Sequence, residues 1–284
     1  MRDLYHFTDI HGSRPLFDAI MNYCHEQDPE ATIIFGGDAI DRGRDGYAIM
    51  KELLDNPYVI YLKGNHEDMF CKAAREIKQK LVFENFEREH VKETLRWCRA
   101  YDYRYENIQL SLGNGGLDTL TDWVVDGMPM DIIERVEHLP LTFSYGKCDF
   151  CHSAGVYRTF KEAADAEYEG VPVDDFAAEM LIWGRTALDI GWEPNRIAVF
   201  GHTPTPYLAD YTDVEIAEDN EIMPVMYTVN DLGWKLDMDT GAVFTGRAYV
   251  LNVLTMKAYG FEDKDFNNSE IHKHNVEQIE VIQF

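Results

Sequence analysis

Residues 32–43 read TIIFGGDAIDRG, an apolar run that ends abruptly in a loop of glycines, aspartates and an arginine. Two more apolar runs, LYHF at 4–7 and YVIYL at 58–62, also end in polar loops that contain glycine. The segments 14–27 and 45–54 between these runs have the apolar spacing of amphipathic helices. The order strand, loop, helix predicts parallel strands joined by right-handed crossovers, whose polar loops gather at the carboxyl edge of a sheet, where ligands bind.

The rest of the chain has a different pattern. Residues 67–105 look mainly helical, LSLGNGGLDT (110–119) is predicted to be a glycine-rich break, and 129–139 is predicted to be another helix. The run IAVFGHTP (197–204) is predicted to be a strand that ends in a polar loop. The segments from 224 to 256 alternate and turn at glycines, which is typical of antiparallel strands.

The chain has 284 residues, enough to bury a large core, and we predict one domain with an insertion. The predicted catalytic domain spans 1–257 and includes a helical cap or insertion at 68–145. The alternative for the insertion is that its aromatic residues only pack a small core of their own. Residues 258–284 are predicted to be a solvated tail that carries His272 and His274 and ends in a closing strand, EVIQF.

The formal net charge is −25, which opposes nonspecific binding to nucleic acid or to an anionic membrane, since both need clustered lysines and arginines. Bound divalent cations would offset part of this charge. The sequence contains neither an apolar run long enough to span a membrane nor a charged and then apolar leader. We therefore expect a soluble, cytoplasmic protein.

Five cysteines form an odd set, which argues against a disulfide framework in such a protein. Cys148 and Cys151 make a single CxxC inside an apolar, strand-like run. A redox pair would open a helix after a strand, and a zinc site would need a second pair. The cysteines are therefore interpreted as small buried hydrophobic residues.

Polar residues with metal-binding side chains follow the apparent strands throughout the chain. They are Asp9, His11, Asp38, Asn65, His152 and His202. Mixed oxygen and imidazole ligands of this kind, with one carboxylate able to bridge, suit a pair of divalent metal ions. The spacing of Asp9 and His11 puts two ligands on one side of an extended segment. DxHG alone is also compatible with an accidental turn, but five such groups in one chain favour a metal centre.

Five motifs, in this order, resemble those of the calcineurin-like metallophosphoesterases: DIHG, GDAIDRG, GNHE, CHSAG and GHTP. Within that family the chain resembles the PPP-type serine/threonine protein phosphatases, especially their compact bacterial and phage branch. IWGR at 182–185 and LDMDTGAVFTGR at 236–247 extend the similarity. The resemblance implies an α/β (α+β) fold, a four-layer αββα sandwich with two central mixed β-sheets and a helical insertion.

The resemblance also implies two groups of metal ligands that share Asp38: Asp9, His11 and Asp38 for the first divalent ion, and Asp38, Asn65, His152 and His202 for the second. GHTP has no second histidine two residues after the first, which favours the PPP-type branch over nuclease-like and cyclic-nucleotide branches. The implied metal is manganese, with iron or zinc as alternatives. A hydroxide that bridges the two ions would then attack phosphorus in line.

The same family pattern assigns the remaining site residues. His66 would protonate the leaving oxygen, with Asp41 holding its ring, and Arg42 and Arg185 would bind the phosphoryl oxygens. The alternatives are that His66 only caps the following helix and that Arg185 forms a structural salt bridge. Lys63 stands where most PPP-type enzymes have arginine, so it would contact substrate phosphate only as a point charge.

Three functions are compatible with these motifs. The first is a metal-dependent phosphomonoesterase for phosphoserine or phosphothreonine in a protein or peptide. The second is a hydrolase of dinucleoside polyphosphates, such as diadenosine tetraphosphate, or of nucleotide caps, with a small nucleotide as substrate. The third, an inactive scaffold, is disfavoured because every predicted ligand is present. The negative charge favours the phosphatase over an enzyme that needs an extended RNA.

Overall fold

The computed structural model of the protein describes residues 2–101, 104–213, 222–230, 232–263 and 278–280. The strands within these residues are β1 (Leu4–Phe7), β2 (Thr32–Phe35), β3 (Val59–Tyr61), β4 (Thr142–Tyr145), β5 (Cys148–Cys151), β6 (Ile197–Phe200), β7 (Val225–Val229), β8 (Leu232–Asp237), β9 (Arg247–Asn252), β10 (Lys257–Glu262) and β11 (Gln278–Glu280). The helices are α1 (Arg14–Gln27), α2 (Gly46–Asp55), α3 (Asn65–Lys80), α4 (Arg88–Tyr101), α5 (Glu106–Gly113), α6 (Leu117–Val125), α7 (Met130–Glu137), α8 (Tyr157–Glu169), α9 (Asp175–Trp183) and α10 (Ala242–Thr245), with 3-10 turns at Arg185–Asp189 and Thr205–Asp210.

The first sheet contains the strands that the opening motifs predict. β1, β2 and β3 pair in parallel, with Leu4 opposite Thr32 and Ile33 opposite Val59. β9 joins β1 in antiparallel orientation, and β10 and β11 follow, so the strand order is β11-β10-β9-β1-β2-β3. The predicted boundary after residue 257 falls within β10. The division into a catalytic domain and a tail stays a prediction.

The second sheet has the order β4-β5-β6-β8-β7, with β5, β6 and β8 parallel to one another. The expectation that the segments from 224 to 256 form antiparallel strands is therefore wrong in part. β7 and β8 do form an antiparallel pair, but β8 pairs in parallel with β6, and β9 crosses to the first sheet. Alternation and glycines predict strands and turns, whereas the choice of partner depends on contacts that are distant in sequence.

Buried side chains form three cores, which define four layers. Phe17 of α1 packs with Phe7 and Phe35 on the outer face of the first sheet. Ile34 and its neighbours lie between the two sheets, because alternate residues of a strand face opposite sides. A third core, which includes Phe160 of α8, lies beyond the second sheet. The predicted four-layer αββα sandwich with two mixed sheets is confirmed.

The segment predicted as a cap contains α4 to α7 and most of α3. Its buried residues Leu112, Trp123 and Ile133 belong to the same core as Phe7 of β1, so they pack against the main body of the fold. The predicted glycine-rich break is shorter than expected, since α5 runs to Gly113 and α6 begins at 117. Apolar residues on both sides of the break are buried, and because such packing stabilises helices, the two helices continue into the predicted break.

The five cysteines are free and buried, as predicted. Cys148 lies in the core between the sheets and Cys151 in the core beyond the second sheet, because the two residues are on opposite faces of β5. This arrangement excludes a disulfide between them.

None of the described helices is long and apolar enough to cross a membrane. Of the predicted closing strand EVIQF, Glu280 ends β11, and the remaining residues lie outside the described ones, as do His272 and His274.

Candidate metal centre and active site

The six predicted metal ligands are buried at the carboxyl ends of strands from both sheets. Asp9 and His11 follow β1, Asp38 follows β2, Asn65 begins α3 after β3, His152 follows β5 and His202 follows β6. The structure therefore brings together residues that are up to 193 positions apart in sequence. Parallel strands in two facing sheets direct their terminal loops to one place, which is where ligands bind in α/β folds.

Four of these residues have a left-handed backbone, which is costly for any residue except glycine. The angle φ is 54° at Asp9, 44° at His11, 58° at Asp38 and 71° at His202. Hydrogen bonds between loops hold this conformation: Asp9 N donates to Gly37 O at 3.0 Å, and His11 N donates to Asp38 O at 3.0 Å. Backbone strain of this kind concentrates at functional sites.

Two glycines of the motifs are required by close approach to carboxylates. A Cβ at Gly64 would collide with Asp38 Oδ1, and a Cβ at Gly201 would collide with Asp9 Oδ2. The loops of GNHE and GHTP can therefore reach the two carboxylates only with glycine at these positions.

The carboxylate of Asp38 is shared by histidines on its two sides. Its Oδ2 lies 3.6 Å from His11 Nε2 and 3.8 Å from His66 Nε2, and its Oδ1 lies 3.3 Å from His152 Nε2. Potential metal-binding atoms converge in two groups, which we call the first cluster (His11, Asp38 and His66) and the second cluster (Asp38, His152 and His202). This arrangement is what a carboxylate that bridges two cations requires.

Backbone carbonyls orient two of the imidazoles. His11 Nδ1 donates to Ile40 O at 2.9 Å, and His152 Nδ1 donates to Gly36 O at 2.9 Å. A bond of this type fixes the tautomer and leaves Nε2 as the ligand atom. Both Nε2 atoms are those that face Asp38.

The second cluster contains more acceptors than donors, which is the signature of a cation site. Asn65 Oδ1 lies 3.1 Å from His152 Nε2 and 2.9 Å from His202 Nδ1. His202 Nε2 is buried and has no hydrogen-bond partner in the described part of the chain. With His152 protonated on Nδ1, its Nε2, Asp38 Oδ1 and Asn65 Oδ1 are acceptors that face each other. A proton or a metal ion must neutralise them, so the residues fit a divalent cation.

Asp9 contacts the same centre through its neighbours. Its carboxylate accepts the hydroxyl of Thr8 at 2.6 Å and the backbone N–H of His202 at 3.2 Å. Among the described residues Asp9 belongs to neither of the two clusters, whereas His66 joins the first. The assignment of Asp9 as a ligand of the first metal stays a prediction.

The pKa values in this buried centre shift in opposite directions. Burial raises the pKa of Asp9 to about 7. Burial also lowers the pKa of His11 and of His202 well below the usual value, so both imidazoles are neutral, as ligands must be. For His152, burial lowers the pKa but the negative charges of Asp38 and Asp9 outweigh it and raise the value to about 10. The centre thus attracts positive charge strongly.

His66 and Asp41 form the pair that the resemblance implies. His66 Nδ1 lies 2.8 Å from Asp41 Oδ2, so the side chain does not cap α3. Burial lowers the pKa of His66, but the charge of Asp38 and the bond to Asp41 outweigh it and raise the pKa above 6.5. Asp41 N donates in turn to Thr119 Oγ1 at 3.1 Å, which connects the pair to α6.

Two arginines lie at different sides of the centre. Arg42 Nη1 lies 2.8 Å from His11 Nε2 and Arg42 Nη2 lies 3.2 Å from His66 Nε2, which places its charge against the first cluster. Arg185 donates to His202 O at 3.4 Å, beside the second cluster. Each guanidinium lies over an aromatic ring, 5.4 Å from that of Phe244 for Arg42 and 5.8 Å from that of Tyr211 for Arg185. Both rings are exposed, Phe244 by 62% and Tyr211 by 44%.

Lys63 is placed differently. It lies just before Gly64, but its ammonium donates to the carbonyl oxygen of Glu137 at the end of α7, and its backbone N–H donates to Pro140 O. A role of Lys63 in substrate binding stays a prediction.

Glu67 lies in the first turn of α3, where its carboxylate accepts the N–H of the residue that caps the helix, and it also reaches the loop of Asp38. Glu67 is fully buried and accepts the backbone N–H groups of Asp38, Ala39 and Gly64. It also accepts the hydroxyl of Tyr61 at 2.8 Å. It therefore supports the loop that carries Asp38.

Two further acidic residues, Asp237 and Asp239, were not assigned from the sequence. Both are buried at the end of β8, and Asp237 Oδ2 has no hydrogen-bond partner among the described residues. Burial raises the pKa of both carboxyls, and Asp9 contributes to this rise. The sequence could have revealed both residues, because in DMDTG (237–241), as in the other motifs of this site, acidic side chains follow a strand.

The family of the chain follows from a comparison of its sequence with family models. The model described as calcineurin-like phosphoesterase matches residues 3–222, and the chain belongs to this family. This range includes all six predicted metal ligands. Among curated protein sequences no significant match is found.

A comparison with solved structures finds several phosphoesterases. A protein provisionally called a diadenosine tetraphosphatase has a TM-score of 0.52 and 15% identity, over 92% of this chain and 93% of that chain. A cold-active protein-tyrosine phosphatase of a psychrophilic Shewanella sp. has a TM-score of 0.47 and 12% identity, over 92% and 78%. A protein serine/threonine phosphatase from Saccharomyces cerevisiae has a TM-score of 0.43 and 13% identity, over 100% and 81%. At 15% identity, the similarity to the first of these structures is one of fold alone.

Proposed function

We propose that the protein hydrolyses phosphate esters with two divalent metal ions. One would be held by Asp9, His11 and Asp38, and the other by Asp38, Asn65, His152 and His202. The observation that carries this proposal is the position of Asp38, whose two oxygens face histidines of both clusters. When bound, the cations would lower the pKa of a water nucleophile and neutralise charge on the phosphoryl group. Manganese is proposed, although the same ligands also suit iron or zinc.

The side chains around the clusters have complementary tasks in this proposal. Arg42 and Arg185 bind the phosphoryl oxygens, because planar guanidinium groups form paired hydrogen bonds with phosphate. Water attacks phosphorus directly, and the bond from phosphorus to the leaving oxygen breaks. His66 gives its Nε2 proton to that oxygen, while Asp41 holds the ring through Nδ1.

The first candidate substrate is phosphoserine or phosphothreonine in a protein or peptide. The order of the motifs and the single histidine in GHTP support the PPP-type branch. Arg42 is exposed, so the phosphoryl group of a large substrate can reach it from the surface. The net charge of −25 disfavours an extended RNA substrate.

The second candidate, a dinucleoside polyphosphate, is favoured by the exposed rings beside the two arginines. Phe244 and Tyr211 offer aromatic faces next to groups that bind phosphate. Nucleobases stack on aromatic faces, and a dinucleoside polyphosphate has a base at each end of its phosphates.

A direct comparison of substrates tests these proposals. The purified protein is loaded with Mn²⁺ and incubated with a phosphoserine peptide or with diadenosine tetraphosphate, and released phosphate and nucleotides are quantified. Turnover of the peptide alone supports the first candidate, and turnover of the dinucleotide alone supports the second. If neither substrate is consumed although elemental analysis verifies two bound metal ions, the proposed function is overturned.

A further inference from the structure

Lys235 is a buried lysine outside the metal centre that the proposed reaction does not use. It lies on β8, is 1% exposed, and points into the core beyond the second sheet. Its Nζ lies 5.8 Å from the ring centre of Trp192 and 5.9 Å from that of Phe200. An ammonium in an apolar core is costly, and a methionine of similar length would fill the same space without that cost. The position therefore calls for an explanation beyond packing.

The ammonium of Lys235 contacts the 3-10 turn that begins with Arg185. It donates to Ala187 O at 2.6 Å. The neighbouring strand provides a second donor, since Tyr227 lies opposite Lys235 in the register of β7 and β8, and its hydroxyl donates to Leu188 O at 3.2 Å. Two adjacent side chains of the sheet thus hold two consecutive carbonyls of the turn.

The other end of the turn is tied to the metal centre. Ser153, which follows the predicted ligand His152, donates through Oγ to Gly184 O at 3.1 Å. Arg185 lies between this bond and the bond from Lys235. Its own bond to His202 O is long, at 3.4 Å, so the turn rather than that bond fixes where the guanidinium lies.

We propose that Lys235 and Tyr227 are positioning residues that hold the turn of Arg185 against the second sheet, so that its guanidinium is preorganised to bind phosphate. The inference rests on the proposed function, in which Arg185 contacts the phosphoryl group. The turn has its own closing bond, from Ile190 N to Ala187 O at 3.1 Å. Lys235 therefore determines where the turn lies but is not needed for the turn to form. We accordingly expect Lys235→Met to fold.

The test is a double-mutant cycle between Lys235→Met and Arg185→Ala, read by binding of inorganic phosphate to the Mn²⁺-loaded protein in a calorimeter. Because misplacement of a binding group by a fraction of an ångström weakens its contacts, Lys235→Met should weaken phosphate binding about tenfold when Arg185 is present. In the Arg185→Ala background it should have no further effect. Lys161→Met, a change of an exposed lysine on α8, is the matched control and should leave binding unchanged.

Two more readouts separate positioning from a general structural role. With an ester substrate, Lys235→Met should raise KM more than it lowers kcat, and the amount of bound manganese should stay the same. If Lys235→Met does not fold, Tyr227→Phe takes its place in the test. This change removes the second donor with little change in volume, so it should weaken phosphate binding in the same way but by less.

The outcomes distinguish this inference from the proposed function. Equal losses in the two backgrounds, or losses that follow metal content or thermal stability, overturn the positioning role. Coupled losses in phosphate binding without any esterase activity overturn the proposed function and keep the positioning role. Absence of phosphate binding to the Mn²⁺-loaded wild-type protein overturns the positioning role, whereas the proposed function is decided by turnover of the substrates.

Discussion

Glu67 Oε2 accepts the backbone N–H of Asp38 at 2.8 Å, across 29 residues of sequence. The residue whose carboxylate faces both histidine clusters is thus held through its backbone by a second carboxylate. The other acceptor oxygen, Oε1, receives the N–H of Ala39 and the hydroxyl of Tyr61. Residues that do not bind the metal themselves commonly orient its ligands through hydrogen bonds.

Replacement of Glu67 should therefore reduce both stability and metal binding. In Glu67→Gln, one amide NH₂ would face backbone donors, which leaves buried N–H groups unpaired and costs roughly 3 kcal/mol of unfolding free energy. Urea denaturation and elemental analysis of bound manganese measure the two effects. Glu162→Gln, on the exposed surface of α8, is the control. A stable Glu67→Gln protein with a full metal complement would show that the loop of Asp38 does not depend on this carboxylate.

Asp38→Asn should lower the occupancy of both metal ions and the activity together. The change removes the negative charge that the two clusters share. Metal affinity and activity should fall by at least about a hundredfold, because that is the upper range for residues that only support a ligand. Metal content per chain and phosphate release are measured on the same sample. Asp165→Asn on the surface serves as control. Loss of only one of two ions would show that Asp38 does not bridge.

His66→Asn should affect substrates according to their leaving groups. Alkyl phosphates need a proton on the leaving oxygen and aryl phosphates hardly do, so turnover of the former should fall about a hundredfold and of the latter much less. His25→Asn, at an exposed position near the end of α1, is the control. Equal losses on both classes of substrate would remove His66 from the acid role.

The pH profile gives an independent check of the same pair. Asp38 and Asp41 outweigh burial and raise the pKa of His66, so its acid form persists above the usual value of 6.5. The alkaline limb of kcat for alkyl phosphates should accordingly lie above that pH, move to lower pH in Asp41→Asn, and disappear in His66→Asn. A limb that stays in place in Asp41→Asn would contradict the assignment.

The sequence predicts the local parts of this fold well because their signals are local. Strand β1, strand β2 and helix α1 are predicted to the residue, since the apolar pattern and the length agree at each. The pairing of β8 with β6 and the crossing of β9 to the other sheet depend on contacts that are far apart in sequence, which no local pattern reveals.

The same distinction holds for the site. The sequence indicates that the predicted ligands lie close together because each follows a strand, and loops after parallel strands meet at one edge. The bonds from Glu67 to the loop of Asp38 could not be predicted because they span 28 and 29 residues of sequence. Lys235 was missed because a lysine in a strand pattern is normally exposed. Lys63 has the motif position of a phosphate ligand, but packing brings its ammonium to the end of α7.

Exposed aromatic rings should discriminate between the two candidate substrates. If nucleobases stack on Phe244 and Tyr211, the substitutions Phe244→Ala and Tyr211→Ala should each raise KM for diadenosine tetraphosphate about tenfold, and leave that for a phosphoserine peptide nearly unchanged. Tyr168→Ala, which removes a 93% exposed ring on α8, is the control. Equal effects on the two substrates would assign the rings to support of Arg42 and Arg185 instead.

The buried Lys235 should make the free energy of unfolding rise with pH. Burial lowers its pKa to about 8, while an unfolded lysine has about 10.5, so between these values the unfolded chain binds more protons and stability rises with pH. Lys235→Met lacks this dependence. The stability of the wild type relative to Lys235→Met should therefore improve by about 2 kcal/mol from pH 7.5 to 9.5. Urea denaturation of both proteins at the two values measures the difference, with Lys161→Met as a control that should run parallel to the wild type. A constant difference between wild type and Lys235→Met would mean that the amine titrates in the folded protein as it does in water.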